Sequence, residues 1–323
     1  MEFQPISGIW AIVAMSLKVT GMFTVLMLVV AYTTLAERRV SAWIQDRHGP
    51  NRVGPFGLLQ PIADGLKSIL KEETVPATAS RVFFVLAPML VLAPALVTFA
   101  VIPFAAPLPT PAGVVDMIVA DIPIGILYVL AFSSLAVYGV VLGGWASNNK
   151  YAFLGALRAS AQMVSYEVAL GLSLITVLML AGNVTLTEIV WQQQQLGMWF
   201  AFPLSLAFIL FVISAFAETN RLPFDMPEAE SELVTGYHTE YSAMKFSAFM
   251  ISEFGHMVTA SALMATLFLG GWQIPFLQAG DVSNWAFVAI GMASFSIKVI
   301  IFCWFFMQLR WTLPRFRYDQ LMT

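Results

Sequence analysis

The chain has 323 residues, of which 59% are hydrophobic and 11% charged, with a net charge of -3. A soluble domain carries roughly 25% charged residues, so the composition indicates an integral membrane protein. The small net charge and the lack of a long basic run argue against a nucleic-acid partner. The single cysteine, Cys303, excludes an internal disulfide and any iron–sulfur cluster held by this chain alone.

The chain opens on MEFQPISG, which carries an acid where a secretory signal has basic residues, so the first apolar segment is expected to stay as a membrane span. About 20 apolar residues suffice to cross a bilayer. Segments of that kind lie near 8–35, 82–104, 121–143, 156–181, 199–217, 246–271 and 284–309. The expected fold is an all-α integral membrane protein with seven transmembrane helices, a single polytopic domain over 1–323.

The connections alternate in charge. Those after the first, third, fifth and seventh spans, together with Arg158 at the start of the fourth, hold all the lysines and arginines except Lys18 and Lys298. The connections 105–120, 182–198 and 272–283 have none. By the positive-inside rule the basic side is cytoplasmic and the N-terminus faces out. Lys18 and Lys298 lie within spans, where proton relay and snorkelling to a helix end both fit.

The first inside connection, 37–81, starts with a Gly- and Pro-rich turn, GPNRVGPFG. Over 60–73, Ile62, Ala63, Leu66, Ile69 and Leu70 recur at helical spacing with Asp64, Lys67 and Lys71 between them. That pattern predicts a short amphipathic helix at the membrane interface.

Two carboxylates fall at membrane depth. Glu167 lies in the fourth span, about 13 Å deeper than Arg158, with Ser160, Gln162 and Ser165 nearby in sequence. Glu253 lies about two turns into the sixth. Ionisable residues at that depth are costly and point first to an ion or proton path. The competing reading is a neutral glutamic acid that helps helices pack. An acidic inside loop, 218–245, holds Glu218, Asp225, Glu228, Glu230, Glu232 and Glu240. Asp225 and Glu228 have capping-box spacing, so a solvated loop beside a capped helix competes with a proton-handling site, where crowded carboxylates cannot all stay ionised. His48, His238 and His256 have no metal-ligand spacing and make no credible haem-binding pairs. There is no phosphate-binding loop, dinucleotide fingerprint or nucleophile elbow.

Four long stretches carry a resemblance that reaches almost the whole chain. They are ERRVSAWIQDRHGPNRVGPFGLLQPIADGLK, GWASNNKYAFLGALRASAQMVSYEVALG, AETNRLPFDMPEAESELVTGYHTEYSAMKF and LPRFRYDQLM. In these, in this order, the sequence resembles the H-subunit family of proton-pumping NADH-quinone oxidoreductase, respiratory complex I.

The resemblance implies a non-redox-centre subunit that forms a quinone-access cavity and joins the peripheral arm to the membrane arm. It implies Glu37, Arg38, Arg47, Asp64, Arg221 and Phe224 around that cavity, with the amphipathic helix bordering its entry. Asp225, Glu228, Glu230, Glu232 and Glu240 are implied at the junction with the membrane arm. Glu167 and Glu253 complete the proton-coupling set, with Glu167 leading towards the antiporter-like subunits. Arg38 and Arg47 are expected to balance carboxylates by charge-assisted hydrogen bonds.

No cofactor is expected on this chain alone. Quinone is the substrate, and FMN and iron–sulfur clusters belong to partner subunits of the peripheral arm. Other expected partners are small membrane subunits, antiporter-like subunits and membrane lipid. The implied location is the bacterial plasma membrane, ahead of the mitochondrial inner membrane. Family members continue past RYDQLM into a further membrane helix, whereas this chain stops at Thr323, so either the sequence is incomplete there or this member lacks that span. Two other readings stay open: the equivalent subunit of an energy-converting hydrogenase or other-donor complex, and a free-standing secondary transporter.

Overall fold

The structure, a computed structural model, describes residues 8–110, 113–227, 229–274 and 284–316, with the backbone alone for Glu230 and Ser231. Its long helices are α1 (Ile9–Ile44), α3 (Arg81–Val97), α4 (Gly125–Ala146), α5 (Lys150–Ala181), α9 (Ala243–Phe268) and α10 (Asn284–Thr312). Shorter helices are α2 (Gln60–Leu70), α6 (Leu186–Leu196), α7 (Ser205–Glu218) and α8 (Glu230–Leu233). One two-stranded antiparallel ribbon, β1 (Leu108–Thr110) with β2 (Gly113–Val115), interrupts the helical pattern on the base-poor side, with Leu108 opposite Val115.

Among the described residues, six helices are long and apolar enough to cross a membrane, with α3 extended to Val101 by a 3-10 turn. The expected fifth span falls on α7, which has 14 residues. At 1.5 Å per residue that is about 21 Å, short of a hydrocarbon layer of roughly 30 Å. Turns at residues 200–204 precede it, where Pro203 has no N–H to give a regular helix.

Other boundaries also moved. Helix α1 runs on to Ile44, so Glu37, Arg38 and Arg39 sit on its last turns instead of in a connection. Helix α5 starts at Lys150, six residues before the expected span, which puts Arg158 more than two turns inside it. Asn149 caps that start, its side-chain oxygen accepting the Tyr151 N–H at 2.9 Å. Gly182, at φ 62°, ends α5 in a left-handed turn. Helix α6 was not expected; its polar QQQQ run resembles a loop until Gln193 is seen buried, its amide donating to the carbonyls of Thr266 and Leu267.

Helices α3, α4, α5, α7 and α9 pack in sequence around a core, with α10 against α9 and α1 against both α9 and α10. The outer face of α1 is bare, Trp10 being 66% and Leu17 68% exposed. Small residues permit the closest approaches. A Cβ on Gly155 of α5 would stand 2.7 Å from the Gly236 Cα, so only glycine lets the 236–238 turn lie against this helix. That contact fixes the far end of the acidic loop.

Candidate functional site

A cavity of about 730 Å³ opens between α1, α2, α9 and α10 on the base-rich side. Apolar Met27, Val30 and Met250 share its lining with Glu37, Arg38 and Asp64. Helix α2 has no buried residue, and its Ile62, Leu66 and Leu70 are exposed. It is tied to α1 by the Arg38–Asp64 ion pair at 2.6 Å, while Gln60 donates to the other Asp64 oxygen at 3.0 Å. The strand of chain after α2 is fastened to the start of α9, where Lys245 meets Glu73 at 3.1 Å and the Thr74 N–H donates to Ser242 at 3.0 Å. Arg47 also lines the cavity, but it donates to Gln45 at 2.7 Å instead of to a carboxylate.

At the inner wall of the cavity four charged side chains from four segments meet. Glu37 of α1 accepts from Arg221 at 2.6 Å and, through its other oxygen, from Arg310 of α10. Arg221 reaches Glu253 of α9 at 2.7 Å. Its guanidinium also lies over the Phe254 ring, 4.4 Å from the centroid. Glu37 and Arg310 line the cavity itself, whereas Arg221 and Glu253 stand behind them. Two carboxylates and two guanidinia balance one another, and this is the condition for keeping charge out of water. Sequence spacing gave no sign of the quartet, because its members come from positions 37 to 310.

Phe224 is away from the cavity. Its ring lies between Tyr166 and Phe316, 5.5 Å from each. The turn that carries it is held by Gln162 of α5, whose amide donates to the carbonyls of Ala217 and Phe224 at 2.8 Å and to Asn220 at 3.1 Å.

The acidic loop is not one cluster. Asp225 pairs with Arg315, just beyond α10, at 2.7 Å. Burial pushes its carboxyl up, against the opposing pull of Arg315. Glu232 pairs with Arg158 at 2.5 Å and Glu240 accepts from Asn149 at 2.7 Å, so both fasten the loop to the first turns of α5. Glu228 lies outside the described residues, as does the side chain of Glu230. Glu167 is joined by Ser134 of α4 and not by Ser160 or Ser165, whose hydroxyls donate to carbonyls of their own helix. The neighbouring Ser133 lies beside Glu218, at the end of α7, so two adjacent serines link two carboxylates. In the sequence Glu218 is only one acid of the loop, and Arg310 and Arg315 are only basic residues of the tail; long-range contact is what brings them into the site.

His238 sits inside the loop, 8% exposed, with Tyr237 and Phe246 edge-on at 5.1 and 5.4 Å. Burial pulls its imidazole down from 6.5 to about 4. Between those values the unfolded chain binds a proton that the folded loop refuses, so stability falls as pH drops from 6.5 towards 4. A shift of that size corresponds to about 3 kcal/mol. Replacing His238 by Phe is expected to flatten this acid-side loss, read as thermal inactivation temperature against pH. An unchanged slope would mean that other groups carry it.

The described chain matches the NADH dehydrogenase family over residues 17–323. It is 51% identical over 305 residues to an H subunit of NADH-quinone oxidoreductase from Geobacter metallireducens, covering 94% of this chain and 88% of that protein. To an H subunit of the same enzyme from Cytophaga hutchinsonii it is 47% identical, over 94% of this chain and 89% of the relative. The H subunit from Leptospira biflexa is 46% identical over 97% of this chain and 90% of its own length. Matched over nearly its whole length, the chain belongs to the NADH dehydrogenase family.

Proposed function

We propose that this chain is the membrane subunit of a proton-pumping NADH-quinone oxidoreductase, that it forms the quinone-access cavity, and that it links quinone reduction to proton translocation. The observation that carries the reading is the charge quartet of Glu37, Arg221, Glu253 and Arg310 at the wall of the 730 Å³ cavity. Quinones combine an apolar tail with a polar head, and small-molecule sites of roughly 300–1,000 Å³ are typically apolar with a few placed polar groups. Electrons arrive from FMN and iron–sulfur clusters in the peripheral-arm subunits, which dock on the 37–81 and 218–245 loops. This chain supplies position, charge and proton contacts.

Reduction to quinol takes up two electrons and two protons, and charge appearing in the cavity alters the proton affinity of nearby carboxylates. From Glu37 the ion pairs run through Arg221 to Glu253. Arg221 follows Glu218 by one turn of chain, on the segment held by Gln162, and Glu218 approaches Glu167 through Ser133 and Ser134. A disturbance at the cavity wall therefore has a contiguous route to Glu167, beyond which lie the antiporter-like subunits. Asp225, Glu228, Glu230, Glu232 and Glu240 tune that route by holding or releasing the loop.

In the membrane, α7 with the turns before it makes the fifth of seven spans. The apolar face of α2 rests on the bilayer surface at the cavity entry, and the N-terminus lies outside a bacterial plasma membrane. Small membrane subunits and lipid cover the bare helix faces. Glu167→Gln is expected to cut proton pumping on the order of 10²-fold, the scale of one positioned proton-transfer group, while the complex still assembles. Pumping per electron equal to wild type in assembled membranes would sink the coupling role.

A further inference from the structure

A second cavity, of about 50 Å³, lies in the bundle among α4, α5, α7 and α9. Thr98, Ser133, Glu218, Thr219, His256 and Thr259 contribute its polar lining, and the remainder is apolar. Two polar atoms of that lining, His256 Nε2 and Thr259 Oγ1, are sealed from solvent and have no hydrogen-bond partner in the protein. Thr259 is 4% exposed, so no surface route relieves it. The other three hydroxyls donate to carbonyls one turn back in the chain, Thr98 to Pro94 at 2.8 Å, Thr219 to Ala215 at 2.9 Å and Ser133 to Leu130 at 3.0 Å. Ser133 also lies beside the Glu218 carboxyl, and the other two offer lone pairs to the cavity. His256 also lies against the backbone of Val91 on α3.

Buried polar groups are almost always hydrogen-bonded, and an internal water is the usual remedy where protein supplies no partner. Such a water needs roughly 10–15 Å³ of room and two to four polar neighbours. Both conditions are met here, whereas a cavity of this size lined by apolar groups alone stays dry.

We propose that the cavity binds a string of about two or three water molecules, running from the Glu218 carboxyl to His256 Nε2 and Thr259 Oγ1, and that His256 exchanges protons with Glu218 along it. The exchange balances: Glu218 releases a proton to its nearest water as the last water gives one to Nε2, and the string is unchanged. Thr259 positions the end water by accepting from it or donating to it. The proton exchange rests on the coupling role proposed above; the water site does not.

The test is a density map of the intact complex at a resolution that shows ordered water, for wild type and for His256→Phe with Thr259→Val. Both substitutions remove the polar atoms; valine matches threonine in size, and because the phenyl ring is larger than imidazole the map is repeated for His256→Leu with Thr259→Val, whose volume is closer to wild type. Water within hydrogen-bond distance of Nε2 and Oγ1 in wild type, lost in both double variants, is the expected result. A dry wild-type cavity, or water unmoved by the substitutions, overturns the site. Proton pumping per electron is then measured for assembled His256→Phe beside Glu167→Gln. A loss in both supports the exchange. A loss in Glu167→Gln alone overturns it and leaves the proposed function standing. No loss in either, with the water in place, means that the coupling role itself has failed.

Discussion

Substituting Arg221 by methionine is expected to destabilise the assembled protein by about 3–5 kcal/mol and to abolish quinone reduction, as the loss of one partner from a buried ion pair does. Arg221 is 4% exposed and stands between Glu37 and Glu253, so methionine would fill its space while leaving two carboxylates facing each other. Arg310 still reaches Glu37, but Glu253 has no other ion pair among the described residues. Arg221→Lys keeps the charge and loses the planar fork that serves two carboxylates at once, so it should fall between wild type and methionine. Assembly on native gels and thermal inactivation of quinone reductase activity measure the effect. If Arg221→Met assembled and inactivated at the wild-type temperature, the quartet would contribute nothing to stability.

The second large effect is expected at Gln162, whose role is mechanical. Leucine at this position has nearly the same size but donates nothing to Ala217, Asn220 and Phe224. Gln162 is 2% exposed, so water does not readily replace it; the Ala217 carbonyl keeps the Asn220 N–H at 3.3 Å, and a buried acceptor left without a donor, such as the Phe224 carbonyl, costs about 1–3 kcal/mol. The turn that carries Arg221 and Phe224 would loosen from α5. Quinone reductase activity should therefore drop together with pumping, unlike Glu167→Gln, in which pumping drops more. Limited proteolysis within 218–245 should also speed up. A leucine variant with normal activity and unchanged proteolysis would show that Arg315, Arg158 and Asn149 hold the loop without it.

Much of this was legible in the chain. Low charge and long apolar runs fix a helical membrane protein because backbone polar groups in lipid must be satisfied within a helix or closed barrel. The one-sided placement of basic residues separates two kinds of connection, and the charges at Glu167, Glu253 and along 218–240 mark where the apolar pattern is broken for a reason. Helix ends were less legible. The polar last turns of α1 continue past residue 35, Pro203 shortens α7, and a glutamine run became a helix once its amide found carbonyls on α9.

The partners of each charge were decided by tertiary structure alone. A sequence states that Asp225, Glu232, Glu240 and Glu253 are acidic and near one another in the chain. Packing sends them to Arg315 beyond α10, to Arg158 and Asn149 at the start of α5, and to Arg221 in the loop itself. Ion pairing depends on distance through space, and 184 positions separate Glu37 from Arg221 while 2.6 Å separates their charged atoms. The same holds for the second cavity. A histidine and a threonine three residues apart on α9 are ordinary in the chain, and only the helices closing around them leave two polar atoms without a protein partner in a cavity that Glu218 also lines.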